Sequence, residues 1–229
     1  MRRGRASGGR ARYAAVVEEL NGRPGRPPVF DAARVDLKGA ADAVSRLLAA
    51  LGVVAEHDPE LAATARLVAE AWSHDILVGY RMDPAEVLRE SLAAGSSDVV
   101  CVRDLAVTVM CPHHLLPATG VVHLAYAPGE RIVGLGALAR LVQCFARRLT
   151  LQEALVQHVV DALTEHLGAR GAACSAVLTP TCLTARGQRC TGATASSFAT
   201  RGAMGPGEPL HAAAVALLQA PAPNVERAR

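Results

Sequence analysis

The chain has 229 residues, 51% of them hydrophobic, and a formal net charge of +3. This length is enough to bury one sizeable core, and so small a charge gives no argument for nucleic-acid binding. No apolar run reaches the about 20 residues of a membrane-spanning helix, and the basic start lacks a signal-like apolar segment. The six irregularly spaced cysteines favour metal ligands or free thiols over a disulfide framework. We therefore expect a cytoplasmic protein with neither a nucleic-acid nor a membrane partner.

The first part of the chain predicts a tail followed by helices. Residues 1–35 are rich in Arg, Gly and Pro and predict a disordered or loosely ordered tail, with one short helical piece at 11–20. Residues 36–95 predict an N-terminal helical part, because apolar side chains recur there at three- and four-residue spacing. Its three predicted helices cover about 36–52, 59–78 and 84–92.

From residue 96 to 202 the pattern changes to strands and two longer helices. The strands are predicted at 99–110, 120–127, 173–185 and 190–200, and the helices at about 135–147 and 151–167. The order β-β-α-α-β-β predicts an α+β class, with an antiparallel four-stranded sheet and both helices on one face. Residues 203–229 contain an Ala/Leu-rich helix at about 210–219 and predict a peripheral C-terminal tail.

Two cysteine-bearing segments each follow a predicted strand. Cys111 and His114 form a Cys-x-x-His pair after the first strand, and Cys182 follows the apolar part of the third. Thiolates and imidazoles at such positions are ordinary zinc ligands. The pair alone is a weak signal, which the second cysteine strengthens. Cys190 lies close enough along the chain to act as a fourth ligand, so an open catalytic site and a closed structural site remain alternatives.

Five separated motifs occur together in one order and spacing. They are Cys111-x-x-His114, Gly134-Leu135, Arg140, Gln152-Glu153 and Cys182-x-x-x-Arg186-Gly187. The combination resembles the GTP cyclohydrolase I family over roughly residues 36–200. The resemblance implies the tunnelling fold (T-fold), in which sheets of several subunits join into a barrel, and a homodecamer of two pentamers with active sites between subunits. It also implies hydrolysis of GTP at C8, giving formate and 7,8-dihydroneopterin triphosphate, within residues 96–202.

The resemblance also implies a metal centre with an acid/base group beside it. Cys111, His114 and Cys182 would hold a Zn²⁺ ion and leave one position for water, as catalytic zinc sites do. His113 would transfer protons to and from a purine nitrogen, for which an imidazole with a pKa near about 6.5 is suited.

Substrate recognition is implied for a second set of residues. Glu153 with Gln152 would accept hydrogen bonds from guanine N1–H and the 2-amino group. The same stretch, starting at Thr150, is equally the capping-box pattern of a helix start. Arginine forks bind phosphate oxygens in pairs, and three arginines match family positions that face the phosphates: Arg66, Arg140 and Arg186.

Two positions depart from the family pattern. Pro180 stands where the family has a catalytic histidine, and Gly136-Ala137 stands where it has Ser-Lys. Proline cannot transfer a proton, and alanine supplies no cation to a triphosphate. Two alternatives follow: a divergent paralogue that stops at the formamidopyrimidine intermediate or uses a purine with fewer phosphates, and a non-catalytic zinc-binding oligomeric scaffold.

Overall fold

The computed structural model of the protein describes residues 30–54 and 58–220, so the short helix predicted at 11–20 lies outside the described residues. The α-helices are α1 (Leu37–Ala50), α2 (Thr64–Ala71), α3 (Pro84–Val87), α4 (Leu135–Ala146), α5 (Gln152–Glu165), α6 (Thr181–Thr184) and α7 (His211–Gln219). The strands are β1 (Ser91–Ala93), β2 (Val100–Met110), β3 (Pro117–Ala127), β4 (Arg131–Val133), β5 (Gly171–Pro180) and β6 (Ala195–Gly202). No helix of the described part combines the length and the apolar character needed to cross a bilayer.

Four strands form one antiparallel sheet in the order β2-β3-β5-β6. The helices α4 and α5 lie between the two hairpins along the chain and pack on one face of this sheet. The predicted α+β class, with the T-fold order of strands and helices, is confirmed. A second, two-stranded sheet pairs β1 with β4, which the sequence pattern did not predict.

The core lies between the sheet and the two long helices. In α4 the buried side chains recur at helical spacing, and in α5 Leu155, Val159 and Leu163 are fully buried. The strands contribute every second residue, for example Val122 and Leu124 of β3, because successive side chains point to opposite faces.

The opposite face of the sheet is partly covered by α7. Ala214 and Leu218 of this helix are buried against Ala125, Ala173 and Met204. Residues 204–220 therefore contribute to a second, smaller core, whereas the sequence predicted a peripheral segment. The division of the chain at residues 36, 96 and 203 itself stays a prediction.

Several predicted bounds differ from the structure. β5 ends at Pro180 rather than 185, because the next four residues form α6. β6 begins at Ala195 rather than 190, since the loop before it turns at Gly187 and Gly192, both with positive φ. The helix predicted at 59–78 is interrupted: a 3₁₀ turn (Pro59–Leu61), α2, a π-helical segment (Trp72–Ile76) and a 3₁₀ turn (Val78–Arg81) follow one another. The helix predicted at 84–92 ends at Val87, and β1 takes its last residues.

Candidate metal centre and active site

Cys111 and His114 lie in the loop that joins β2 to β3. The loop starts after Met110, which pairs with Pro117 across the hairpin. The Cys111 N–H donates to Leu116 O (3.0 Å), and the Leu115 N–H donates to Cys111 O (2.9 Å). Leu115 adopts φ 51°, a left-handed conformation uncommon for leucine. These contacts fold the loop tightly, so that the Cys111 thiol and the His114 ring reach the same place.

Cys182 joins them because β5 ends at the same edge of the sheet. Pro180 is paired with Ala118 at the start of β3. The Thr181 hydroxyl then donates to Pro117 O (2.6 Å), which holds the beginning of α6 against the hairpin. Apart from its position next to Cys182, nothing in the sequence pattern indicates this role of Thr181. As a result the three possible ligand atoms of Cys111, His114 and Cys182 all lie within 4.8 Å of one another.

This donor set fits a zinc ion. Tetrahedral Zn²⁺ with Zn–S of about 2.3 Å and Zn–N of about 2.0–2.1 Å separates its ligand atoms by roughly 3.6–3.8 Å. The Cys111 Sγ–His114 Nδ1 distance is 3.8 Å. Two thiolates and an imidazole are ligands that favour zinc over magnesium or calcium. Among the described residues these three side chains form the group that could hold a metal ion, hereafter the metal-type group. The exposed Cys190 lies outside it.

The electrostatics of the group suit a divalent cation. Partial burial lowers the pKa of His114, and the nearby charges of Arg186 and His113 lower it further. The lowered pKa favours the neutral imidazole that a metal requires. Burial raises the pKa of the Cys182 thiol, and the neighbouring Cys111 raises it further. Two thiolates this close repel each other, and a cation bound between them relieves that repulsion.

His113 and Glu153 are both exposed near this loop. The His113 ring lies 6.2 Å from the His114 ring at an interplanar angle of 81°. Glu153 lies in the first turn of α5. The start of this helix is held at the end of β2, because Leu149 pairs with Met110 and the Thr150 N–H donates to Met110 O (3.2 Å). The carboxylate of Glu153 makes no hydrogen bond or ion pair within residues 30–54 and 58–220.

The capping-box alternative is wrong. The N-cap residue of α5 is Leu151, and no side chain caps the helix. The Thr150 hydroxyl donates to Leu151 O instead (3.1 Å). The side-chain amide of Gln152 donates to Ala176 O and to Ala195 O, both at 3.0 Å. It therefore fixes the start of α5 against β5 and β6 and leaves the Glu153 carboxylate open.

The structure places the three candidate phosphate arginines differently. Arg186 is exposed and close enough to the metal-type group for its charge to lower the pKa of His114 and to oppose the rise in the pKa of Cys182. Arg140 is also exposed, and a Cβ added at Gly136 would lie 3.6 Å from its Nη1. Arg66 bonds both carboxylate oxygens of Glu70 at 2.9 Å, and no contact of the described residues joins it to the metal-type group.

The two departures from the family pattern have a structural setting. Pro180 closes β5 and forms the N-cap of α6, two residues before Cys182. Ala137 is 5% exposed and belongs to the main core beneath α4. Neither position offers a polar side chain to a ligand.

A four-stranded antiparallel sheet with two helices on one face, and a Cys-His-Cys group at its edge, defines an α+β protein of the T-fold type with a metal-type centre. The family model for GTP cyclohydrolase I matches residues 40–219. The chain therefore belongs to the GTP cyclohydrolase I family, and it is an enzyme of that type.

Individual relatives agree with the family model. The GTP cyclohydrolase 1 of Chromobacterium violaceum is 44% identical over 146 residues, which cover 63% of this chain and 68% of that protein. The GTP cyclohydrolase 1 of Leifsonia xyli subsp. xyli is 37% identical over 175 residues, covering 76% and 88%. Among solved structures, a dihydroneopterin aldolase from Burkholderia thailendensis bound to guanine has a TM-score of 0.30 and 14% identity, covering 50% of this chain and 95% of that one.

Proposed function

We propose that the protein is a zinc-dependent hydrolase that opens the imidazole ring of GTP at C8 and yields 7,8-dihydroneopterin triphosphate and formate. The observation that carries this proposal is the convergence of Cys111, His114 and Cys182 within 4.8 Å beside two exposed groups suited to proton transfer and guanine binding. In the cell such a product would feed tetrahydrofolate biosynthesis. The six cysteines, all free, fit the reducing cytoplasm.

The three ligands would hold the ion at the edge of the sheet. When bound, zinc supplies a Lewis acid and activates water near neutral pH. The residues themselves fix where this happens, because the hairpin loop and α6 are tied together by the Thr181 hydroxyl. Cys190 lies outside the group, so the described residues offer three ligands and would leave one position for water, as catalytic zinc sites do.

Base recognition and proton transfer are assigned to the exposed neighbours. The Glu153 carboxylate would accept hydrogen bonds from guanine N1–H and the 2-amino group. Gln152 would position it, since the amide of Gln152 already bonds two backbone carbonyls. His113 would give a proton to the imidazole nitrogen of the base as the C8–N bond breaks, and take one back afterwards.

The phosphates would be bound by Arg186 and Arg140, with Arg66 joining if its pair with Glu70 opens. In one chain His113, Glu153, Arg140 and Arg186 all face solvent. This exposure supports a site completed between subunits, as in a decamer of two pentamers, because catalysis and binding need groups that enclose the nucleotide and exclude water.

A second candidate function is favoured by Pro180 and Ala137. Pro180, two residues before Cys182, supplies no proton. Ala137, at the position of the family's phosphate-binding lysine, is buried and supplies no cation. The first hydrolysis adds one water as the C8–N9 bond breaks and leaves a formyl group on N7; a second water releases formate. A chain short of one proton-transfer group would stop after the first step, or act on a purine with fewer phosphates.

The test is mass spectrometry of the products after the zinc-loaded protein is incubated with GTP, GMP and guanosine in parallel. Dihydroneopterin triphosphate from GTP is the expected result. A product that has gained one water and kept its formyl carbon would establish the second candidate, and the preferred phosphate count would report on Ala137. No product from any of the three substrates would contradict both and favour a non-catalytic zinc-binding scaffold.

A further inference from the structure

A groove of about 600 Å³ crosses the sheet face opposite α4 and α5. Its floor is a row of paired residues, His123 on β3, Ser175 on β5 and Phe198 on β6. The helix α7 forms one wall through Val215 and Leu218. At a spacing of about 4.8 Å between strands, four strands give the groove a length of roughly 14 Å.

This groove is separate from the candidate metal centre. Its β2 end is formed by Arg103 and Asp104, seven and six residues before Met110. A strand rises about 3.3 Å per residue, so this end lies roughly 20 Å along β2 from the metal-binding loop. No side chain of the groove takes part in the proposed hydrolysis.

The His123 ring offers the groove one hydrogen-bond donor. His123 is buried, 8% exposed, and its Nδ1 accepts a hydrogen bond from the Asp104 N–H (3.0 Å). With Nδ1 as the acceptor, the neutral ring carries its proton on Nε2. No hydrogen bond of the described residues uses that Nε2–H, although the ring lines the groove. Buried donors in native proteins are satisfied by protein, by water or by a ligand.

The backbone around Asp104 is specially shaped to hold this ring. Asp104 has φ 57°, and the β2–β3 register shifts between Val102 and Leu105. Such a β-bulge re-aims the groups it carries, and strained backbone of this kind concentrates at binding sites. Here the bulge turns the Asp104 N–H into His123 and brings Arg103 to the groove.

Each of the four strands brings a hydrogen-bond donor to the groove. His123, Ser175, Ser196 and Arg103 all present N–H or O–H groups. The carboxylate of Asp104 is 53% exposed, so water solvates much of its charge. The remaining wall is apolar, formed by Phe198, Val215 and Leu218.

We propose that this groove binds a small carboxylate with an apolar body. The carboxylate accepts hydrogen bonds from His123 Nε2–H, the Ser175 hydroxyl and Arg103, and the apolar body lies between Phe198 and α7. This proposal does not depend on the proposed hydrolysis.

The test uses 3-phenylpropionate as the probe and saturation-transfer NMR on the full chain, which detects weak ligands of large assemblies. A fitting fragment of about ten non-hydrogen atoms is expected to bind with a Kd of about 1 mM or lower. 3-Phenylpropylamine, the matched cation, should bind at least about tenfold more weakly. Equal or tighter binding of the amine would overturn the proposal, as would no binding of the carboxylate.

Variants locate the probe. Ser175→Leu fills the floor and should abolish binding, while Arg103→Gln should weaken it about tenfold. The control Arg89→Gln, at an exposed arginine paired with Glu86, should leave the affinity unchanged. If Ser175→Leu does not fold, Ser196→Leu at the exposed edge replaces it. Unchanged affinity in a folded groove variant, or a loss in Cys182→Ser, would overturn the proposal, because the probe would then bind elsewhere.

Discussion

At the scale of single residues, the position of Cys182 is held by its neighbour. The Thr181 hydroxyl bonds Pro117 O, so the thiol is fixed opposite the Cys111–His114 loop before any ion is bound. Preorganised ligands lose little entropy when a metal binds. Cys182 is therefore expected to contribute affinity beyond that of a ligand on a free loop.

Cys182→Ser should weaken zinc binding by more than about 100-fold, since even residues that only orient a ligand are worth about 10–100-fold. The measurement is zinc content and competition with a chromogenic chelator. Cys190→Ser is the matched control and should keep full affinity, because this exposed thiol lies outside the group. Equal losses in the two variants would support the closed four-ligand site instead.

We expect His158 of α5 to make the stability of the fold depend on pH. Burial lowers its pKa from 6.5, Arg148 lowers it further, and Asp161 opposes the shift; the ring packs on Phe145 at 5.4 Å. Below pH 6.5 the unfolded chain binds a proton that the folded chain does not. The contribution of His158 to the free energy of unfolding is therefore fully present above pH 6.5 and falls as the pH drops toward the folded pKa. His158→Gln should flatten the dependence of Tm on pH in this window. An unchanged slope would contradict the assignment.

At this scale, sequence reasoning could single out candidate residues where a motif is local. The Cys-x-x-His pair and Cys182 could be picked out because strand ends and spacing are visible in the chain. The bonds from Gln152 to Ala176 O and Ala195 O, and from Asp104 to His123, could not be foreseen. They depend on strand register and on a bulge, which only the folded sheet defines.

At the scale of elements, Arg148 connects the N-terminal segment to α4. Its Nε donates to Gly79 O (3.0 Å) and Cys144 O (2.7 Å), and its Nη2 donates to Met82 O (3.2 Å). The guanidinium also lies 5.7 Å from the centre of the Tyr80 ring. One side chain thus fixes the 3₁₀ turn Val78–Arg81 to the end of the helix.

Arg148→Lys should lower Tm by about 4–8 °C. Hydrogen bonds from a charged group are worth about 1.5–3 kcal/mol, and a lysine ammonium cannot reproduce the planar fork. Arg147→Lys is the control: the neighbouring arginine is exposed and bonds Gln143 Oε1, so its replacement should change Tm by less than about 2 °C. Thermal scans of both variants at equal protein concentration test this prediction. Equal shifts in Tm would contradict the role of Arg148 in holding the 3₁₀ turn against the helix.

Element types were predictable where the apolar period is sustained, as in α4, α5 and β2. They were not where tertiary contacts override local pattern. The π-helical segment Trp72–Ile76 interrupts a regular helical period, and β1 forms because β4 pairs with it. The role of α7 was also missed, since an Ala/Leu-rich helix does not reveal which sheet face it covers.

At the scale of the whole molecule, α1 carries apolar side chains that the described residues leave exposed. None of its 14 residues is buried. Leu47 and Leu51 are 59% and 71% exposed, and Leu67 of the neighbouring α2 is 52% exposed. Isolated helices of this length are marginal in water, and contiguous exposed apolar surface is typical of interfaces. Among the described residues, the edge strands β2 and β6 likewise each have one side that pairs with no other strand.

We expect the wild-type protein to associate, with a mass near ten copies of the 23.8 kDa chain by light scattering coupled to size exclusion. Leu47→Glu should shift it to smaller species, because each copy loses about 1.5–3 kcal/mol of leucine burial and gains a charge that must be desolvated. A symmetric assembly repeats this cost at every equivalent contact. Arg46→Glu, one position earlier and also exposed, should leave the mass unchanged. A wild-type monomer at micromolar concentration would contradict the assembly, and with it the enclosure of His113 and Glu153 between subunits.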